Sequence, residues 1–184
     1  ISTEQKNNAL KELIINIRFF KNSLIETNKI DIQQAHENNL SSALIDRLTL
    51  NLDRINAMIE SLEEIINLED PIGKTISEWR RPNGLKIKKI SVPLGVIGII
   101  FESRPNVTID ASAIALKSGN AVILRGGKDS FQSSKKLKEI ICQSFNKAGL
   151  PENVVQMIES TERSKVEELL KLNKYIDVII PRGG

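Results

Sequence analysis

From Gly95 onward short apolar runs alternate with amphipathic stretches, and this alternation limits the fold more than any other feature of the chain. Val96 to Phe101, Ala121 to Leu124, Val154 to Ile158 and Val178 to Ile180 are short and largely apolar, as strands buried on both faces are. Between them, Val107 to Lys117, Ser130 to Ala148 and Arg163 to Leu172 carry apolar residues at helical spacing. Strand and helix in alternation, joined by short Gly-containing connections, predict a parallel, doubly wound α/β sheet. Sheets of that kind bind ligands at the carboxyl ends of their strands.

The first seventy or so residues have the helical period instead. Ser2 and Gln5 form a capping box, and Leu10, Leu13, Ile14, Ile17, Phe20 and Leu24 follow along one face. A second helix is predicted after Asn51, with Ile55, Met58, Ile59, Leu62, Ile65 and Ile66 on one side. Between the two, Ile30 to Leu50 reads as two shorter helical pieces with a break near Asn38-Asn39, and Asp70-Pro71-Ile72-Gly73 is a closing turn. Thr75 to Trp79 and Leu85 to Lys88 alternate around Pro82-Asn83-Gly84, which predicts a hairpin. It is either an edge hairpin on the main sheet or an arm that pairs with another subunit.

Several function classes are excluded or disfavoured. The longest apolar run, Val92 to Phe101, contains a proline and two glycines and falls well short of the roughly 20 residues that cross a bilayer. The amino terminus carries no secretory signal, and its first residue, Ile1 rather than Met, predicts a trimmed chain or fragment. The single cysteine, Cys142, excludes an intramolecular disulfide and fits a cytoplasmic protein. The 26 basic and 23 acidic residues are interspersed, so no basic stripe points to nucleic acid. Cys142 lies off the apolar face of its helix with no activating base, and His36, the only histidine, sits in a polar stretch. Neither supplies a nucleophile, a base or a metal cluster.

Three segments fall at the strand ends: Glu102-Ser103-Arg104-Pro105-Asn106, Arg125-Gly126-Gly127-Lys128 and Pro181-Arg182-Gly183-Gly184. Each holds an arginine, whose planar fork of donors suits phosphate and carboxylate, and two of them hold a glycine pair that lets backbone approach a pyrophosphate. An anionic, phosphate-bearing ligand is expected. The G-x-G-x-x-G fingerprint of ordinary dinucleotide sites is missing.

VPLGVIGIIFESRPNVTIDASAIALKSGNAVILRGG and the following AGLPENVVQMI resemble the aldehyde dehydrogenase superfamily, whose members bind a nicotinamide cofactor without that fingerprint. ESRPNVT, LKSGNAVILRGG, IDVIIPRGG, EWRRPNGLKI and LIDRLTLNLDRI resemble its gamma-glutamyl phosphate reductase branch. The resemblance implies helices over 1–73 packed on the cofactor domain, an oligomerisation hairpin over 74–93, and an NADPH-binding α/β domain over 94–184 that is truncated, with the catalytic domain absent. It implies NADPH-dependent reduction of L-glutamate 5-phosphate to the 5-semialdehyde with release of phosphate, a step of proline synthesis. The family's nucleophilic cysteine would lie beyond this chain, leaving residues 1–184 inactive alone. Arg125, Gly126, Gly127, Lys128, Arg182, Gly183 and Gly184 are the implied cofactor-binding residues. Ser103, Arg104 and Asn106 are the substrate-binding candidates, with no metal; Asn106 is the candidate oxyanion donor, a place that Ser103 or Arg104 could take instead, and Arg104 is open between substrate phosphate and structural pairing. Arg125 and Lys128 would favour NADPH over NADH, unless Asp129 turns inward. A cytoplasmic homo-oligomer is expected, with association with the upstream glutamate kinase as a further expectation. The alternatives are another enzyme of the superfamily or a non-catalytic binding module.

Overall fold

A computed structural model of the chain describes residues 1–183, so Gly184 lies outside the described residues. The chain opens on a single 35-residue helix, α1 (Thr3–Glu37). The Ser2 hydroxyl oxygen accepts the Gln5 amide at 3.1 Å, which starts the helix where the capping signal placed it. The break at Asn38-Asn39 is also present, with Asn39 in the left-handed region at φ 55°. What differs is the continuity of α1 through Ile30, where a separate piece was expected. Two polar residues account for it, because both are buried: Asn28 is 1% and Asp31 0% exposed. The Asn28 side chain accepts the Leu50 amide at 2.7 Å and donates to the Leu48 carbonyl and the Ser133 hydroxyl. A polar face is thus satisfied by distant backbone rather than by water.

Helix α2 (Ser42–Leu48) and helix α3 (Leu52–Asn67) follow, α3 capped by the Asn51 side chain, which accepts the Arg54 amide at 2.9 Å. Strands β1 (Thr75–Arg80) and β2 (Lys86–Ile90) pair antiparallel, Trp79 opposite Ile87 and Glu78 opposite Lys88. They form a two-stranded sheet of their own, so the hairpin is not an edge of the main sheet. Its tip closes through Gly84 at φ 86°.

The α/β part comprises β3 (Val96–Phe101), α4 (Asn106–Lys117), β4 (Ala121–Arg125), α5 (Phe131–Lys147), β5 (Val155–Met157), α6 (Ser164–Leu170) and β6 (Val178–Arg182). Its four strands are all parallel in the order β5-β4-β3-β6. From β3 the chain winds outward through β4 to β5, then returns across the sheet to lay β6 on the other side of β3. The strand order therefore reverses between β3 and β6. Helices α4 and α5 pack together on one face of the sheet, and the right-handed rule for parallel crossovers puts α6 on the other.

Helices α1 and α3 form a further layer over α4 and α5. Leu10, Leu13, Ile17 and Leu24 of α1 are fully buried in the same core as Leu137, Ile140, Ile141 and Phe145 of α5. Each contributes about 1.5–3 kcal/mol of apolar burial. Polar ties lock the layers in register. Asp31 accepts the Gln132 and Ser133 amides at 3.1 and 2.8 Å and so caps α5 from another helix, while Ser130 makes no side-chain cap bond. At the far end of α4, Lys6 and Lys117 are 2% and 4% exposed. The Lys6 ammonium donates to both Asp70 oxygens and to the Lys117 carbonyl, and the Lys117 ammonium to the Asn7 side chain and the Ile66 carbonyl.

Candidate functional site

The strand order reverses between β3 and β6, and in open parallel sheets the carboxyl ends of the strands at such a reversal are where a ligand crevice forms. A cavity of about 290 Å³ lies there, walled by Phe101, Glu102, Ser103, Arg104, Arg182 and Gly183, with Arg47 of α2 reaching in from the helical layer. Two of the three predicted strand-end segments therefore meet in one place. Pro181 and Arg182 belong to strand β6 rather than to a loop, so Arg182 is the last strand residue, paired in register with Phe101.

The segment after β3 is short because Pro105 begins helix α4 almost at once. Ser103 is buried, and its hydroxyl donates to the Asp129 carboxylate at 2.8 Å. Asp129 thus turns inward to the β3 end instead of capping α5, a task that Asp31 performs. Asn106, the first residue of α4, donates through its side-chain amide to Asp110 at 3.0 Å. A primary amide has two N–H donors, so one remains for a ligand. Burial raises the pKa of Asp110, opposed by the Asn106 hydrogen bond and by the charge of Arg182.

At the end of β4 the glycine pair fills a packing need. A Cβ on Gly126 would stand 3.1 Å from the Phe101 ring, and one on Gly127 would stand 3.3 Å from the Glu102 backbone. Both glycines let the β4 end approach the β3 end. Arg125 donates to the carbonyls of Gly126, Thr161 and Glu162, which ties the β4 end to the segment after β5. Its Nε is buried without a hydrogen-bond partner. Lys128 is exposed. Beside Gly183 the space a Cβ would take is filled by the Glu102 side chain.

Sequence reasoning missed Arg47, Arg54 and Asp110. A second cavity of about 350 Å³ adjoins the first and shares Arg47 and Arg104 with it, adding Arg54, Asn106 and Asp110. Arg54 is held by the Asp46 carboxylate at 2.9 Å and the Thr49 carbonyl at 3.0 Å. The other two arginines, Arg47 and Arg104, are exposed, and no hydrogen bond or ion pair among the described residues holds their side chains. The available signal was the run Leu44-Ile45-Asp46-Arg47-Leu48, whose two charges sit among three apolar residues. Nothing in that run says what the charges face. Cys142 is half-buried on α5 with its sulfur 3.7 Å from the Val155 carbonyl, and burial raises its pKa, so it is not activated. His36 is exposed. Among the described residues no cluster of three metal-ligating side chains occurs, and no helix is long and apolar enough to cross a membrane.

The aldehyde dehydrogenase family model matches residues 21–184. The gamma-glutamyl phosphate reductase of Bartonella tribocorum is 50% identical over 184 residues, covering all of this chain and 45% of that protein. The crystal structure of gamma-glutamyl phosphate reductase from Thermotoga maritima superposes with a TM-score of 0.97 at 42% identity, over all of this chain and 44% of that one. Its counterpart from Saccharomyces cerevisiae gives 0.93 at 34% identity, over all of this chain and 47% of that one. The chain thus spans about 45% of the length of the curated relatives it matches.

Proposed function

We propose, since this chain belongs to the aldehyde dehydrogenase family, that the protein containing it reduces L-glutamate 5-phosphate to L-glutamate 5-semialdehyde with release of phosphate. The observation that carries the proposal is the 50% identity to a gamma-glutamyl phosphate reductase along the whole of the chain. The reaction is the second step of proline synthesis from glutamate. In this reading a cysteine thiolate outside residues 1–184 attacks the acyl carbon, phosphate leaves, and the resulting thioester is reduced.

The family generally uses NAD(P), and NADPH is the form proposed here. When bound it supplies the hydride that reduces the thioester. The crevice between β3 and β6 suits its phosphates, having Arg182 and the Gly183 backbone at the point where the strand order reverses. At the β4 end, Lys128 is the exposed cation nearest the implied adenosine site, and Arg125 orders the surface beneath through its backbone bonds. Gly126 and Gly127 bring that surface against the β3 end. Ser103 and Arg104 line the crevice, and the free N–H of Asn106 is the candidate donor to an oxyanion. Asp129 turns inward to Ser103 instead of capping α5, the arrangement in which the preference of this loop for NADPH is the weaker one. The exposed hairpin residues Ile76, Trp79 and Ile90 support a homo-oligomer joined through β1 and β2. A cytoplasmic enzyme working next to the upstream kinase completes the reading.

The test is phosphate release coupled one-to-one to NADPH oxidation by the full-length protein supplied with freshly generated glutamate 5-phosphate. Absence of NADPH oxidation refutes the proposal. Residues 1–184 alone are expected to give none.

A further inference from the structure

The cavity between α2, α3 and α4 has a composition that a phosphate site does not require. Beside the two unheld guanidinium groups of Arg47 and Arg104 it contains the carboxylate of Asp110, which accepts one hydrogen bond from Asn106 and forms no ion pair among the described residues. A site meant only for an anion gains nothing from a half-buried carboxylate, because that charge repels the ligand and burial penalises it. The opposite charges of Arg47 and Asp110, both lining this cavity, match a ligand that carries both signs. An α-amino acid does so, with a carboxylate and an ammonium on one carbon.

The geometry points to this cavity as the recognition site for the amino-acid end of the substrate, and we infer that Arg47 binds its α-carboxylate and Asp110 its α-ammonium. The inference rests on the reductase reading given above. Arg47 reaches the cavity from α2, a helix of the amino-terminal block, whereas Asp110 comes from α4 of the sheet domain. Arg104 stands at the junction of this cavity with the strand-end crevice, since it lines both. A substrate held by its amino-acid end against Arg47 and Asp110 extends past Asn106 toward Arg104. That places its far, phosphorylated end next to the only other unheld guanidinium lining the cavity among the described residues. Asn106 has two duties in this arrangement: one N–H orients the Asp110 carboxylate and the other faces the reacting end. Asp110 is half-buried and hydrogen-bonded to Asn106, and a substrate ammonium would add to the charge of Arg182 in offsetting the burial that raises its pKa.

A site built to pair a substrate ammonium rejects an analogue that lacks it, because its own polar group is then left unpaired. The full-length enzyme is assayed in the oxidative direction with NADP⁺ and phosphate, using L-glutamate 5-semialdehyde and its deaminated analogue 5-oxopentanoate, with rates expressed per free aldehyde. The wild type is expected to favour the amino-bearing aldehyde at least about 100-fold in kcat/KM. Asp110→Asn should cut kcat/KM for that aldehyde about 10- to 100-fold while changing the analogue by less than about threefold, so the preference collapses. Arg47→Ala should raise KM for both aldehydes about tenfold or more, since both carry the carboxylate, and Arg47→Lys should recover part of the loss. Equal losses for the two aldehydes in Asp110→Asn, or none, overturn the assignment and leave the reductase reading intact. An unchanged KM in Arg47→Ala overturns the carboxylate half. Should Asp110→Asn not fold, the wild-type ratio decides, and a preference under about fivefold overturns the assignment. No turnover of either aldehyde by the wild type overturns the reductase reading and this inference together.

Discussion

Replacing Asp31 tests whether two elements a hundred residues apart are joined by a helix cap. Its carboxylate accepts the Gln132 amide at 3.1 Å and the Ser133 amide at 2.8 Å, the second and third amides of α5, and it is fully buried. Those are the orphan donors that a local cap would ordinarily satisfy. Each charge-assisted bond is worth roughly 1.5–3 kcal/mol, but burying the charge offsets part of the sum. The expected cost of Asp31→Ala is therefore about 2–4 kcal/mol, and of Asp31→Asn, which keeps one acceptor, about 1–2 kcal/mol. Burial raises the Asp31 pKa despite the opposing bonds from Ser133 and Gln132. A raised folded-state pKa means a contribution fully present below the unfolded value of 3.8 and lost as pH rises through the folded pKa. Asp31→Asn lacks that titration, so its deficit should narrow as pH rises from about 4 toward 7. Hydrogen exchange in the full-length protein reads the cap directly. The Gln132 and Ser133 amides should exchange about 30- to 1,000-fold faster in Asp31→Ala, which is the same energy expressed as a rate. Exchange within about twofold of wild type, or a deficit that widens with pH, refutes the reasoning.

Asp70, drawn down to about 2 by hydrogen bonds from Lys6, Ile72 and Thr3 that outweigh its burial, contributes stability present above 3.8 and lost as pH falls toward 2. Asp70→Asn should cost about 1–2 kcal/mol at pH 7 in urea unfolding, with the deficit vanishing near pH 2. Cys142, half-buried with a raised pKa, should react with iodoacetamide at pH 7 at least about tenfold more slowly than free glutathione, and Cys142→Ser should leave turnover within about twofold. Gly119, at φ 73° after α4 and with a Cβ position 3.1 Å from Pro93, should lose about 1–2 kcal/mol as Gly119→Ala, measured by the urea midpoint. If the adenosine half of the cofactor site lies at the β4 end, Lys128→Ala should reduce the preference for 2′,5′-ADP over 5′-AMP by about tenfold in calorimetry. Arg125→Ala should instead weaken both nucleotides, because its guanidinium is engaged with backbone carbonyls.

The local signals were legible where a residue's partner is near in sequence. The Ser2 and Asn51 caps reach amides three residues on, and the strand runs of β3 and β4 announce themselves because both faces of a parallel sheet are buried. The hairpin was legible from its alternation, but not its independence of the main sheet, since pairing partners are not written in a strand's own residues. Likewise, the candidate residues at the ends of β3 and β6 could be picked out by type and position, while their duties could not. Ser103 and Asp129 are 26 residues apart, and Arg125 spends its guanidinium on carbonyls 36 and 37 residues away.

Sequence alone therefore determined the order of helices and strands, the parallel α/β class and the strand ends that line the candidate crevice, because hydrophobic period and turn chemistry act over a few residues. Tertiary structure alone decided which polar groups are spent and which are free. Nothing in the sequence around Asn28, Asp31 or Lys6 marks them as buried: α5 and the Leu48–Leu50 backbone close over the first two, and Asp70 and the Lys117 carbonyl surround the third. Arg47 and Asp110 acquire a common cavity only when the tertiary fold brings α2 and α4 to its lining. A charge is costly or useful according to what excludes water from it, and that is fixed by contacts between segments far apart in the chain.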